Sequence, residues 1–151
     1  MNDSLFCDVT QLVSELKSMP GILRFLTAIS LASGAFVIAT ILPGGAMIGD
    51  RSIGAHEWWT NGSGELFTLA ISTLVGSGVM ILKRARFSRE CYLLGFLLLY
   101  PCAFAVQAIN RIPFDEWEVV SSLLFGVAQL TAIALYFYVN RRAKEYFSRH
   151  A

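Results

Sequence analysis

Residues 119–139 read VVSSLLFGVAQLTAIALYFYV, 21 residues without a charge. A helix of about 20 apolar residues crosses a hydrocarbon core of about 30 Å, so this stretch is long enough to span a bilayer. Three more stretches share its character. Residues 22–42 read ILRFLTAISLASGAFVIATIL, residues 66–82 read LFTLAISTLVGSGVMIL, and residues 91–109 read CYLLGFLLLYPCAFAVQAI. The second is short for a span and can take Gly64 and Glu65 into its outer end. None alternates apolar with polar residues, as the strands of a membrane barrel would. The reading is an all-α, integral membrane four-helix bundle, with residues 1–151 forming one transmembrane domain.

The rest of the chain agrees. Hydrophobic residues make up 55% and charged residues 15%, with a mean hydropathy of +0.56. A soluble domain carries about 25% charged residues. The balance excludes a disordered chain, a nucleic-acid-binding tail and an ordinary soluble enzyme. The first apolar run follows twenty residues of mixed sequence and precedes Pro43, Gly44 and Gly45. Its length favours a retained span over a cleaved signal peptide. Cys7, Cys91 and Cys102 form no CxxC pair and read as small packing residues.

Charge placement sets orientation. Lys17, Arg24, the KRARFSRE turn (Lys83 to Glu90) and Arg141, Arg142, Lys144 and Arg149 hold ten basic residues on one side of the four spans. The other side has Arg51 and Arg111 only. Basic loops stay in the cytoplasm, which places both termini there, in an inner (plasma) membrane of bacterial type. The acids sort oppositely. Asp50, Glu57, Glu65, Asp115, Glu116 and Glu118 lie outside, giving net charges of +5 inside and −4 outside. The inner bases suit anionic lipid head groups.

Outside the spans, residues 4–19 read as an amphipathic helix. Leu5, Val9, Leu12, Val13, Leu16 and Met19 share one face, and Pro20 and Gly21 end it. Such a helix lies in the membrane interface or under the bundle, or docks a partner. The outer loop 43–64 carries Trp58 and Trp59 after Glu57, and indoles favour the membrane interface. A ligand- or protein-binding loop is the alternative. Asn61-Gly62-Ser63 matches a short glycosylation sequon. The second outer loop, NRIPFDEWE, places Asp115, Glu116, Trp117 and Glu118 at the start of the fourth span, where a helix N-terminus favours carboxylates. With Glu57, Trp58, Trp59 and Glu65 these residues form the candidate partner-binding outer face.

No charge lies in the middle of a span, and no His lies in any span. Ser-His-Asp sets, HExxH, Walker and GxGxxG motifs are missing, so no enzyme, metal site or cofactor is expected. Gln129 stands near mid-depth and needs a hydrogen-bond partner there. Ser72, Thr73, Ser77 and Tyr100 are the candidates. Gln129 reads as interhelical glue or, alternatively, as part of a transport site. Pro101 should kink the third span and free the carbonyl of Leu97.

The KRARF turn at Lys83–Phe87 and the exit YFYVNRRAKEYF at Tyr136–Phe147 resemble a bacterial family of small four-span inner-membrane proteins, domain of unknown function 2569. The resemblance covers residues 21–147. The helix at 4–19 is an addition to it, and Ser88 stands where proline is expected. It implies a four-span class and no mechanism. By architecture alone the chain is also similar to immunity proteins against pore-forming bacteriocins. The expected function is non-enzymatic binding of a protein partner in the bilayer or at its outer face, such as a toxin or a membrane complex. A small oligomeric transporter or channel is the alternative. Membrane lipids are expected partners, a homo-oligomer is admitted, and nucleic acid is not expected.

Overall fold

The computed structural model describes residues 16–17, 19–41 and 45–148. Within them, four helical stretches are long and apolar enough to cross a membrane: Gly21–Ile41, Ser63–Leu82, Ser88–Ile109 and Glu116–Val139. The four expected spans are therefore present, and three of them start about one turn early. Apolar character marks where lipid begins, whereas the helix continues into a polar turn, which a side chain closes in two of the three. Asn61 Oδ1 accepts from the Ser63 amide at 2.9 Å. Asp115 Oδ1 accepts from the Trp117 amide at 3.1 Å. Both close donors that a helix N-terminus leaves open.

The first span is two helices, α1 (Gly21–Ala32) and α2 (Gly34–Ile41), meeting at Ser33. The Ser33 hydroxyl donates to the Ser30 carbonyl at 2.6 Å, and Phe36 N–H bonds to the Ser33 carbonyl. Serine hydroxyls that compete for helix carbonyls break the regular ladder. After it, the connection read as a loop holds two antiparallel strands, β1 (Ala46–Ile48) and β2 (Arg51–Ile53), and a short helix, α3 (Ala55–Thr60). Gly49 turns the hairpin with φ +57°, a conformation glycine adopts without cost. The remaining spans are α4 (Ser63–Leu82), α5 (Ser88–Ile109) and α6 (Glu116–Val139), followed by α7 (Arg141–Ser148).

Small residues decide which helices approach closely. A Cβ on Gly95 of α5 would lie 3.1 Å from the Leu74 backbone of α4. One on Gly78 of α4 would lie 2.7 Å from the Ser30 hydroxyl of α1. That hydroxyl donates to the Leu74 carbonyl, so α1, α4 and α5 meet around Leu74. Without a hydrophobic force between helices in lipid, such close approach and interhelical hydrogen bonds hold a bundle together. Helix α6 packs chiefly on α5 and stays peripheral: 6% of its apolar stretch is buried, against 39% for α4.

Two hairpin turns share one geometry. After α4, Arg84 N–H bonds to Ile81 and Ala85 N–H to Met80; after α5, Arg111 N–H bonds to Ala108 and Ile112 N–H to Gln107. These are Schellman caps. The left-handed position usually given to glycine holds Arg84 (φ 52°) and Arg111 (φ 53°). The helix expected over 4–19 lies, up to residue 15, outside the described residues. Leu16 and Lys17 are helical, Met19 is buried, and the Arg24 guanidinium donates to the carbonyls of Lys17 and Met19.

Candidate functional site

The end of the bundle that carries the β-hairpin is organised around Asn110, a residue that sequence reading passed over. It follows the last turn of α5 and is 4% exposed. Its Nδ2 donates to Ser63 Oγ at 2.8 Å and to the Val106 carbonyl at 2.7 Å. Its Oδ1 accepts from Asn61 Nδ2 at 2.9 Å. Its carbonyl accepts from Arg51 at 2.8 Å, and Arg51 pairs with Glu57 at 3.6 Å. The buried Asn110 thus ties the start of α4 to the end of α5 through its side-chain amide, and the hairpin through its backbone carbonyl. The sequon asparagine and serine both spend their side chains inside this network. The spacing between Asn61 and Asn110 carries no local pattern, so only the fold reveals it.

Beneath the hairpin opens a cleft of about 480 Å³. Phe36 and Thr40 of α2, Met47 of β1, Trp58, and Val106 and Gln107 of α5 contribute to its wall. Trp58 is 3% exposed and stands edge-on to Phe67 with ring centres 5.9 Å apart. It therefore belongs to the interior and presents nothing to the outer face or to lipid. Its Nε1 is buried without a partner among the described residues. Trp59 is half-buried, donates to the Thr40 carbonyl at 3.3 Å, and is seated over Gly64, where a Cβ would fall 2.6 Å from its ring.

The other members of the expected outer face separate from these two. Glu57, Glu65, Asp115, Glu116 and Glu118 are exposed, and Trp117 is 77% exposed. Asp115 caps α6, and Glu116 and Glu118 stand in its first turn. The indole facing outward is thus Trp117, at the mouth of the fourth span.

Within the spans, Gln129 Oε1 accepts from the Tyr100 hydroxyl at 3.1 Å. Gly126, one turn earlier on α6, makes room for that ring: a Cβ there would lie 2.5 Å from it. Ser72 is exposed, and Thr73 returns its hydroxyl to the Leu69 carbonyl of its own helix. Neither reaches Gln129. Pro101 is exposed and borders an apolar cavity of about 210 Å³ between α5 and α6, together with Phe96, Leu123 and Val127. The structure brings Gln129 to Tyr100 and leaves Ser72 and Thr73 apart from both.

At the opposite end, the basic tail folds into α7. Asn140 Oδ1 accepts from the Arg142 and Ala143 amides, and Ala143, Tyr146 and Phe147 are buried. The Tyr146 hydroxyl donates to the Ile81 carbonyl at 3.2 Å. Arg84 lies over the Tyr146 ring and Arg89 over the Phe147 ring, each 4.6 Å from the ring centre. Tyr138 donates to Glu90 at 2.9 Å. Among the described residues no three His, Cys, Asp or Glu side chains are placed to hold a metal ion.

No family model matches the chain, and neither a curated protein nor a solved structure matches it. The fold is that of a helical membrane protein with four spans.

Proposed function

We propose that this protein is a non-enzymatic, multi-pass protein of a bacterial inner membrane whose role is to bind a partner membrane protein along its fourth span. An immunity protein that intercepts a pore-forming toxin, or a subunit of a membrane complex, would work in this way. The basic end faces the cytoplasm in this reading. The peripheral placement of α6 carries it. Most of that helix is exposed, and only Gly126 and Phe137 along it are fully buried. Its exposed surface includes Ser121, Ala128 and Ala132, small side chains that let another helix come close. Its mouth presents Trp117 beside three carboxylates, where complementary charge steers and orients an approaching partner. The cavities along the spans have apolar walls, which suit packing better than ion passage, so binding is preferred to transport.

Site-specific photo-crosslinking in the native membrane tests the proposal. Reactive side chains at Leu124, Ala128, Thr131 and Leu135 are expected to give protein adducts. The exposed positions Phe25 and Phe36, on the first span, are expected to give lipid alone. Reversing Asp115, Glu116 and Glu118 to Lys should cut the α6 adducts about tenfold. Lipid adducts at every α6 position would overturn the proposal, and adducts indifferent to charge reversal would remove the acidic mouth from it.

A further inference from the structure

The turn between α4 and α5 encloses a cavity of about 560 Å³ with an unusual wall: Arg84, Arg86 and Arg89, with Ser88, Glu90 and Phe147 between them. Three guanidinium groups at one cavity would repel one another, yet Glu90 is the single carboxylate there, and it already accepts from Tyr138. Arg84 has interactions of its own. Arg86 and Arg89 differ. Among the described residues neither forms an ion pair or a hydrogen bond, and each is held only by aromatic rings. Arg86 lies 5.2 Å from the Phe87 ring centre, and Arg89 lies 4.6 Å from Phe147 and 5.4 Å from Tyr138.

A guanidinium stacked on a ring keeps its in-plane N–H edge open, the edge that takes two oxygens of a phosphate at once. Ser88, 2% exposed, adds a hydroxyl in the cavity wall. The first turn of α5 has no side-chain cap; its Ser88 amide is taken by the Ala85 carbonyl, and the positive end of the helix dipole still favours negative charge nearby. We infer that this cavity binds the phosphodiester of an anionic phospholipid.

Depth points to lipid as the source of the phosphate. Helices α4 and α5 have 20 and 22 residues. At 1.5 Å per residue each is about as long as the hydrocarbon core is thick, so the turn joining them stands at head-group level. Phe87, beside Arg86, is 60% exposed and fits the acyl boundary there. The clustered positive charge selects an anionic head group over a zwitterionic one. This site is separate from the α6 surface, and either can fail without the other.

The test counts lipids retained by the purified full chain after exchange into vesicles of equal phosphatidylglycerol and phosphatidylcholine, using native mass spectrometry. The wild type is expected to prefer phosphatidylglycerol about twenty-five-fold, at about fivefold for each of two arginines. Arg86→Gln, which alters an exposed side chain and leaves the packing of Arg89 intact, should lower the preference about fivefold. The double variant Arg86→Gln/Arg89→Gln should abolish it. Arg142→Gln/Lys144→Gln, which removes the same charge from exposed positions of α7 away from the cavity wall, should leave it within about twofold. A wild type without preference would overturn the site, and so would an equal loss from the α7 pair. Complete displacement of the lipid by inorganic phosphate would overturn the lipid assignment in favour of a soluble phosphate ligand.

Discussion

Helices α4 and α6 are equally apolar by composition, yet one is the centre of the molecule and the other its margin. Water would not allow such a difference, because an exposed apolar helix there is destabilising. In lipid the tails are as apolar as leucine, so burial is decided by which helices can approach closely. Helix α4 meets Gly95 of α5 at Leu74 and carries its own Gly78 against Ser30. Helix α6 has one such place, Gly126, and a tyrosine ring fills it rather than a neighbouring backbone.

The sharpest way to break this contrast is at Gly95. A leucine there must displace the Leu74 backbone. We expect a loss of about 3 kcal/mol, read as the unfolding midpoint in a denaturing detergent titration. Leu124→Ala on the open face of α6 should stay within about 0.5 kcal/mol. If the two cost the same, close approach does not decide the core.

Next in size is Asn110→Ala, which leaves the Asn61 and Ser63 side chains without their shared partner in a buried place. A loss of about 2 kcal/mol is expected. Faster hydrogen exchange should be confined to residues 46–63, leaving the basic end protected. Protection lost evenly along the chain would show that Asn110 serves the whole bundle. The smallest effect belongs to Gln129→Leu, at about 0.6 kcal/mol. It should vanish when Tyr100 is already Phe, since the two share one hydrogen bond. A cost that survives in the Tyr100→Phe background would give Gln129 a second role.

These expectations show what a linear reading can reach. Span number and approximate ends follow from Ile22–Leu42, Leu66–Leu82, Cys91–Ile109 and Val119–Val139, because transfer into lipid is a property of local composition. Tyr100 as a partner of Gln129 could also be named, since a buried amide at mid-depth narrows the choice to the few polar groups at that level. Asn110 could not, because its partners Arg51, Asn61 and Ser63 come from two other elements and no period links them. Trp58 misled for a related reason. Indoles are common at interfaces, but Ile53 of the hairpin and Phe67 of α4 close around this one and take it inside. The left-handed arginines were equally hidden, because glycine is the residue that announces such a cap and neither turn has it.

The Schellman turn at Lys83–Phe87 has a consequence for how the chain is made. It joins the two most intimately packed helices by five residues, so their contact closes a small loop and loses little chain entropy. The α4–α5 hairpin can form as soon as both helices have entered the bilayer, before α6 is synthesised. Helix α6 then arrives at a body already assembled and is fastened to it chiefly near its C-terminal end, where Phe137 packs against Tyr92 and Phe147. A span added in this way is anchored at one end and leaves much of its remaining length facing the surroundings.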